Sequence, residues 1–307
     1  MDARGALANA PPRATISRSG DVRFIKYHGL GNDFVVLEAD GGREQALMTP
    51  DRARRICRRG FGVGADGLMV AAPAIAGGHL RMWLLNSDGS TPQMCGNGIR
   101  CFVKYAVEVL GYADNPLHVE TPGGIKACAW RRGDDGLITS VRVDMGAPCF
   151  ERRAVPVAGG EGEALNVLVE AGGRTFDATG VNTGNPHMVI FGDADRRLAE
   201  TLGPELTAHP MWPEGANVEF AELRAPDAIA VSVWERGCGL TEACGTGATA
   251  TAAAAVRLGL AEAGRPITVT LPGGSLEITI EQGLRTAWME GPAVEAYRGV
   301  LSDDLLA

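Results

Sequence analysis

Cys95-Gly96-Asn97-Gly98 runs into Ile-Arg-Cys-Phe-Val-Lys-Tyr-Ala-Val-Glu-Val-Leu-Gly, and Cys244-Gly245-Thr246-Gly247 runs into Ala-Thr-Ala-Thr-Ala-Ala-Ala-Ala-Val-Arg-Leu-Gly. Each tetrapeptide opens a helical pattern, and the second cysteine follows the first by 149 positions. Two further landmarks repeat at nearly the same offset. Thr121-Pro122-Gly123-Gly124 is echoed by Leu271-Pro272-Gly273-Gly274, and Gly31-Asn32-Asp33-Phe34-Val35-Val36-Leu37 by Gly184-Asn185-Pro186-His187-Met188-Val189-Ile190. Three echoes in one register predict an internal duplication into two similar domains related by a pseudo-two-fold axis. The period is far too long for a solenoid.

The elements between the landmarks read as α+β. Alternating or apolar runs predict strands at Val22–Tyr27, Phe34–Glu38 and Leu80–Leu85, and a set of short strands from Leu117 to Met145. Thr49-Pro50-Asp51 opens a short helix, and Gly111 closes the one that begins at Cys95. The second half repeats the scheme. Strands fall between Leu165 and Phe191, a helix spans Asp195–Thr207, and strands lie at Val218–Glu222, Ile229–Glu235 and from Ile267 to Tyr297. The helix after Cys244 is alanine-rich, hence slim and suited to close packing. Each domain is expected to wrap its strands around one central helix, with the active site in the cleft between domains.

The chain of 307 residues holds two domains of ordinary size, and 45% hydrophobic with 21% charged residues is the composition of a globular protein. A net charge of −8 without a basic stripe argues against nucleic acid or an anionic membrane as partner. No apolar run has the length of a membrane span. Residues 1–20 lack the apolar segment of a secretory signal and read as a disordered tail. Seven cysteines without framework spacing indicate reduced thiols and a cytoplasmic setting.

Cysteine at two helix starts suits proton transfer at carbon. A helix N-terminus offers free N–H groups and the positive end of the dipole, which can hold a carboxylate and draw a thiol's pKa down from about 8.5. The dipole contributes only about 0.3–2 kcal/mol. Hydrogen bonds to the developing oxyanion, roughly 3 kcal/mol per donor, must contribute more. Gly96, Gly98, Gly245 and Gly247 let the backbone approach the substrate closely. A thiolate on one face of an α-carbon and a thiol on the other would invert it. A pyridoxal mechanism needs a Schiff-base lysine, and Lys26, Lys104 and Lys126 lie beside no phosphate cradle. No cofactor and no metal are expected. Gly62-Val63-Gly64-Ala65-Asp66-Gly67 fits the dinucleotide pattern but follows a helix and precedes a strand, the wrong order for phosphate binding. Cys57, Cys101, Cys128, Cys149 and Cys238 read as small hydrophobes, with Cys238 also close to the Glu235-Arg236-Gly237 loop.

His28-Gly29-Leu30-Gly31-Asn32-Asp33-Phe34, Asn86-Ser87-Asp88-Gly89 and Met94-Cys95-Gly96-Asn97-Gly98-Ile99-Arg100-Cys101 together resemble the diaminopimelate epimerase family. So do Gly184-Asn185-Pro186-His187, Asn217-Val218-Glu219-Phe220 and Trp234-Glu235-Arg236-Gly237 leading to Ala243-Cys244-Gly245-Thr246-Gly247. The resemblance runs from about Phe24 to the C-terminus. It implies cofactor-independent interconversion of LL- and meso-diaminopimelate in lysine and peptidoglycan precursor synthesis. Cys95 and Cys244 would be the acid/base thiols, tuned by His187 and Glu235. Gly96, Asn97, Gly245 and Thr246 would hold the carboxylate at the reacting centre, while Asn32, Asn86, Asn185, Asn217, Glu235 and Arg236 grip the distal zwitterion. The resemblance also implies a homodimer and a last strand, near Val294 to Leu301, that returns to the first domain. The domains would then be residues 21–146 with 291–307, and residues 147–290.

One departure is Gly67, where some members carry a Gln near the substrate. Two other readings stand beside this one. A related racemase could act on proline or hydroxyproline, but that group has His after Cys-Gly, where Asn97 stands here. A non-catalytic amino-acid-binding protein, or a cofactorless isomerase like the phenazine-pathway enzyme, would lack one or both cysteines.

Overall fold

The computed structural model describes residues 21–306, so the tail expected at 1–20 lies outside the described residues. The first half contains β1 (Val22–Gly29), β2 (Asn32–Leu37), α1 (Pro50–Cys57), β3 (Gly67–Ala72), β4 (Leu80–Asn86), α2 (Gly96–Glu108), β5 (Leu117–Thr121), β6 (Gly124–Arg132) and β7 (Ile138–Gly146). The second contains β8 (Val167–Ala171), β9 (Arg174–Asn182), β10 (Pro186–Phe191), α3 (Arg196–Thr207), β11 (Asn217–Ala225), β12 (Ala228–Glu235), the two-residue β13 (Gly239–Leu240), α4 (Gly245–Arg257), β14 (Pro266–Leu271), β15 (Gly274–Ile280), β16 (Ala287–Gly291) and β17 (Val294–Leu301).

Strand pairing repeats in the two halves. β1–β2 is antiparallel, β2–β3 parallel, β3–β4 antiparallel, β4–β5 parallel, and β5–β6 and β6–β7 antiparallel. The series β9–β10, β10–β11, β11–β12, β12–β14, β14–β15 and β15–β16 has the same senses in the same order. Parallel neighbours need a crossover, and in each half two stand at those points: α1 and α2 in the first, α3 and α4 in the second. The echoed Pro-Gly pairs occupy matching two-residue hairpin turns, with Thr121 opposite Gly124 and Leu271 opposite Gly274.

The halves meet where β7 pairs with its own counterpart, β16, and β17 crosses from the second half to the first. β17 follows β16 in the chain but lies antiparallel along β1, while β8 follows β7 but pairs with β9. The crossing of β17 is the return expected from the resemblance. β8 is its topological counterpart but stays within the second half.

α2 is buried from Gly96 to Val107 and α4 from Gly245 to Ala255. Alanine lets α4 be enclosed on all sides, and the Thr249 and Thr251 hydroxyls bond back to the Gly245 and Gly247 carbonyls, so these two buried hydroxyls are satisfied within the helix. Both helices belong to one continuous apolar core. No helix among the described residues is long and apolar enough to cross a membrane.

Candidate active site

α2 and α4 begin at the same place. Cys95 and Cys244 are their N-caps, both in extended conformation, and each Sγ accepts the backbone N–H three residues on, from Gly98 at 3.3 Å and Gly247 at 3.4 Å. The next N–H groups, of Ile99 and Ala248, close the first helical turns onto the cysteine carbonyls. The amides of Gly96 and Asn97, and of Gly245 and Thr246, therefore have no carbonyl partner in their helices. The two starts touch. A methyl at Gly245 would lie 3.5 Å from the Gly96 Cα, and the Asn97 Nδ2 crosses between the halves to the Ala243 carbonyl at 3.1 Å.

Around Cys95, the Asn32 Oδ1 stands 4.0 Å from Sγ and also accepts from the Asn97 Nδ2 at 3.2 Å. The Asn32 Nδ2 donates to Asp66 at 2.7 Å, which fixes which way the amide points. Both Asn97 amide protons are thus spent, and its Oδ1 is buried without a partner beside Gly245.

Around Cys244, Thr246 Oγ1 lies 3.4 Å from Sγ, and Glu235, whose charge acts on the thiol, accepts from Thr241 at 2.7 Å. His187 is completely buried, with Nδ1 2.7 Å from the Glu219 Oε1 and Nε2 2.8 Å from the Asn185 Oδ1. Asn217 lies opposite His187 on the neighbouring strand and accepts the Arg236 backbone N–H at 2.8 Å. The Arg236 guanidinium is exposed and lies on the Glu214 and Gly215 carbonyls. Asn86 ends β4 in a turn held by Ser90. Asn86 and the Arg236 guanidinium each bond to their own local partners.

The helix starts do not lower the thiol pKa values as the sequence suggested. Burial pushes Cys95 up to about 11, against the pull of the Gly98 amide and Arg100, and Glu235 adds to the rise. Burial pushes Cys244 well above the ordinary value, and Glu235 and Glu219 add to it. Desolvation of an ion outweighs the half-charge of a helix end. Glu235 is raised too, first by burial.

Other sequence expectations fare unevenly. Cys57, Cys101 and Cys128 are buried, but Cys149 is only partly so and Cys238 is exposed, because its loop carries glycines at positive φ on either side. A Cβ at Gly67 would crowd Leu84 at 2.8 Å, the Leu85 carbonyl at 3.0 Å and Phe34 at 3.1 Å, so a Gln there needs these neighbours to shift. Two residues lay inside the quoted motifs without a role. Glu219 is wholly buried, with Oε1 on His187 and Oε2 unpartnered, and Arg100 is wholly buried beside Gly96. The signal for both was a charged residue within an apolar run.

The mixed α/β fold, repeated in two halves, is shared with solved structures of amino-acid epimerases and racemases. A hydroxyproline epimerase from Agrobacterium vitis superposes with a TM-score of 0.68 at 16% identity, covering 92% of each chain. A probable proline racemase from Agrobacterium radiobacter K84 does so at 0.68 and 15%, covering 92% of this chain and 93% of its own. These likenesses concern the fold. The diaminopimelate epimerase family model matches residues 24–151 and 179–295, and the chain belongs to that family. The diaminopimelate epimerase of Desulfitobacterium hafniense is 43% identical over 288 residues, spanning 93% of this chain and 100% of that protein. That of Desulforudis audaxviator is 45% identical over 283 residues, spanning 91% and 98%.

Proposed function

We propose that the chain is a diaminopimelate epimerase that interconverts the LL and meso forms through Cys95 and Cys244. The observation that carries this reading is the meeting of two cysteine-capped helix starts, Gly96 against Gly245. A carboxylate placed there receives the amides of Gly96, Asn97, Gly245 and Thr246. Its α-carbon then lies between the two thiols. One sulfur removes the α-proton as a thiolate while the other, protonated, delivers a proton to the opposite face. The negative charge that passes onto the carboxylate is stabilised by the same amides, at roughly 3 kcal/mol per donor. Glu235 and His187 orient the Cys244 side.

At the distal end, Arg236 and Glu235 suit a second carboxylate and ammonium, with Asn32, Asn86, Asn185 and Asn217 as neutral partners. Substrate binding would draw the Arg236 guanidinium from the carbonyls it occupies. The reading uses no cofactor. It also takes residues 21–146 with 291–307 as one domain and 147–290 as the other, with the active site in the cleft between them. The enzyme would work in the cytoplasm as a homodimer. The exposed Val294, Tyr297 and Val300 on β17 support a subunit contact, which sedimentation would test.

The decisive experiment follows deuterium entry from D₂O and chiral composition by chromatography. Wild type should deuterate and epimerise LL-diaminopimelate and leave L-proline and L-lysine unchanged. Cys95→Ala and Cys244→Ala should each lose epimerisation by at least about 10³-fold. Turnover of proline instead would overturn the substrate, and activity in either variant would overturn the two-thiol mechanism.

A further inference from the structure

The two thiols are not electrically equivalent, and the difference lies in the buried charges behind them. Behind Cys95, on the next turn of α2, Arg100 is fully buried. Its Nε donates to the Pro292 carbonyl at 3.1 Å, and its Nη1 donates to the Gly96 carbonyl at 3.2 Å and lies 3.6 Å from the Met289 sulfur. Its Nη2 is buried without a partner, pressed toward Gly29. Every acceptor it has is neutral. Holding an uncompensated guanidinium out of water is costly, and its charge acts on Cys101 and Cys95.

Behind Cys244 the charges have the opposite sign. Glu235 from β12 acts on the thiol by its charge, and Glu219 from β11 lies where a methyl on Gly247, the residue whose amide meets the Cys244 sulfur, would be 2.7 Å from its Oε1. Glu219 also has a free buried oxygen. His187 from β10 is the cation-capable group on that side, and it is tied to Glu219. Cys95 faces Glu235 as well, but it has Arg100 and not Glu219.

We propose that the pair ionises in a fixed order: Cys95 gives up its proton first, Cys244 keeps its own, and the carboxylate-free guanidinium of Arg100 sets that order. Arg100 is a positioning residue of the charge, acting through the first turn of α2 without touching substrate. The proposal rests on the two-thiol reading and adds which member of the pair becomes the base in the empty enzyme. Cys101 also feels Arg100, but burial pushes it up to about 12, and it lies inside the helix without the N-terminal amides that meet the Cys95 sulfur.

The test is a pH titration of protein labelled at cysteine Cβ with ¹³C, read by NMR, with resonances assigned from Cys95→Ser, Cys244→Ser and Cys101→Ser. In wild type the Cys95 midpoint should fall below those of Cys244 and Cys101. In Arg100→Met it should rise by about one pH unit, the size expected for losing one nearby opposite charge. Arg100→Lys should restore most of the difference, which a packing role alone would not produce. Cys244 or Cys101 titrating first in wild type overturns the proposal, and that arm stands even if Arg100→Met does not fold. An unchanged Cys95 midpoint in Arg100→Met, or an equal rise in Arg100→Lys, also overturns it. Deuterium exchange on the same wild-type sample separates the two readings. Exchange with the wrong titration order removes only this inference, whereas no exchange removes the epimerase reading itself.

Discussion

The residue that most tightly links shape to chemistry is Gly245. A methyl there would lie 2.9 Å from the Met289 sulfur, 3.4 Å from the buried Asn97 Oδ1 and 3.5 Å from the Gly96 Cα. Met289 is flexible and can turn aside, and alanine is a better helix former than glycine by about 1 kcal/mol. Gly245→Ala should therefore keep its melting temperature within a few degrees of wild type. The methyl nevertheless occupies the junction where the carboxylate must reach the first-turn amides. Displacing the reacting carbon by about 1 Å is enough to cost roughly 100-fold. We expect kcat/KM to fall by about that factor, with circular dichroism unchanged. A variant of full activity would mean that the carboxylate binds elsewhere. At this scale the sequence was legible for the glycines and cysteines, because short motifs spell out local backbone needs. It was silent on Glu219 and Arg100, whose importance comes from being buried by strands and loops distant in the chain. It also misjudged the thiols, since how far a sulfur is desolvated depends on the whole fold and outweighs the helix end that the motif reveals.

At the scale of elements, the Asn32 amide is held by a network that joins β1, β2 and the segment before β3. Asp33 is paired with Lys26 at 2.8 Å and Arg59 at 2.7 Å, Arg59 also holds Asp66 at 2.8 Å, and Asp66 holds Asn32. Burial alone would raise the Asp33 pKa, but the bonds from Arg59 and Lys26 prevail and lower it. A carboxyl depressed in the folded state adds stability above its unfolded pKa, near 4, and loses it as pH falls through the folded value. Asp33→Asn should thus be less stable than wild type at pH 7. The gap should stay constant down to about pH 5 and narrow below about pH 4, as wild type loses the same pairing. Urea unfolding at several pH values reads this directly, and a gap that widened in acid would refute the network's role. The elements themselves were largely readable. Alternation marked β1 and alanine the enclosed helix, because their burial patterns are local periodicities. The short β13 was not readable, since it exists only by pairing with Trp234 and Glu235.

At the scale of the whole molecule, the first half is closed by the far end of the chain: β17 covers β1, whereas β8 covers β9 within the second half. The repeated tetrapeptides announced the duplication, but they could not announce where β8 pairs, since it carries no motif and is fixed only by which edge it finds. The consequence is that the first half is not complete as a continuous segment. A chain ending at residue 293 would leave β1 without its outer partner over Val22 to His28 and would uncover Phe24, which packs edge-to-face on Tyr297 at 6.0 Å. An open, apolar edge of that length favours aggregation over folding. The truncated chain should therefore be insoluble or lack cooperative unfolding, although it retains both cysteines and every residue assigned to the substrate. A synthetic peptide of residues 292–306 added during refolding should restore soluble, active protein, because the pairing is mostly backbone to backbone. If the truncated chain folded and worked unaided, β17 would be an ornament of the first half, and the two helix starts would be held together by such contacts as the β7–β16 pairing and the Asn97–Ala243 bond.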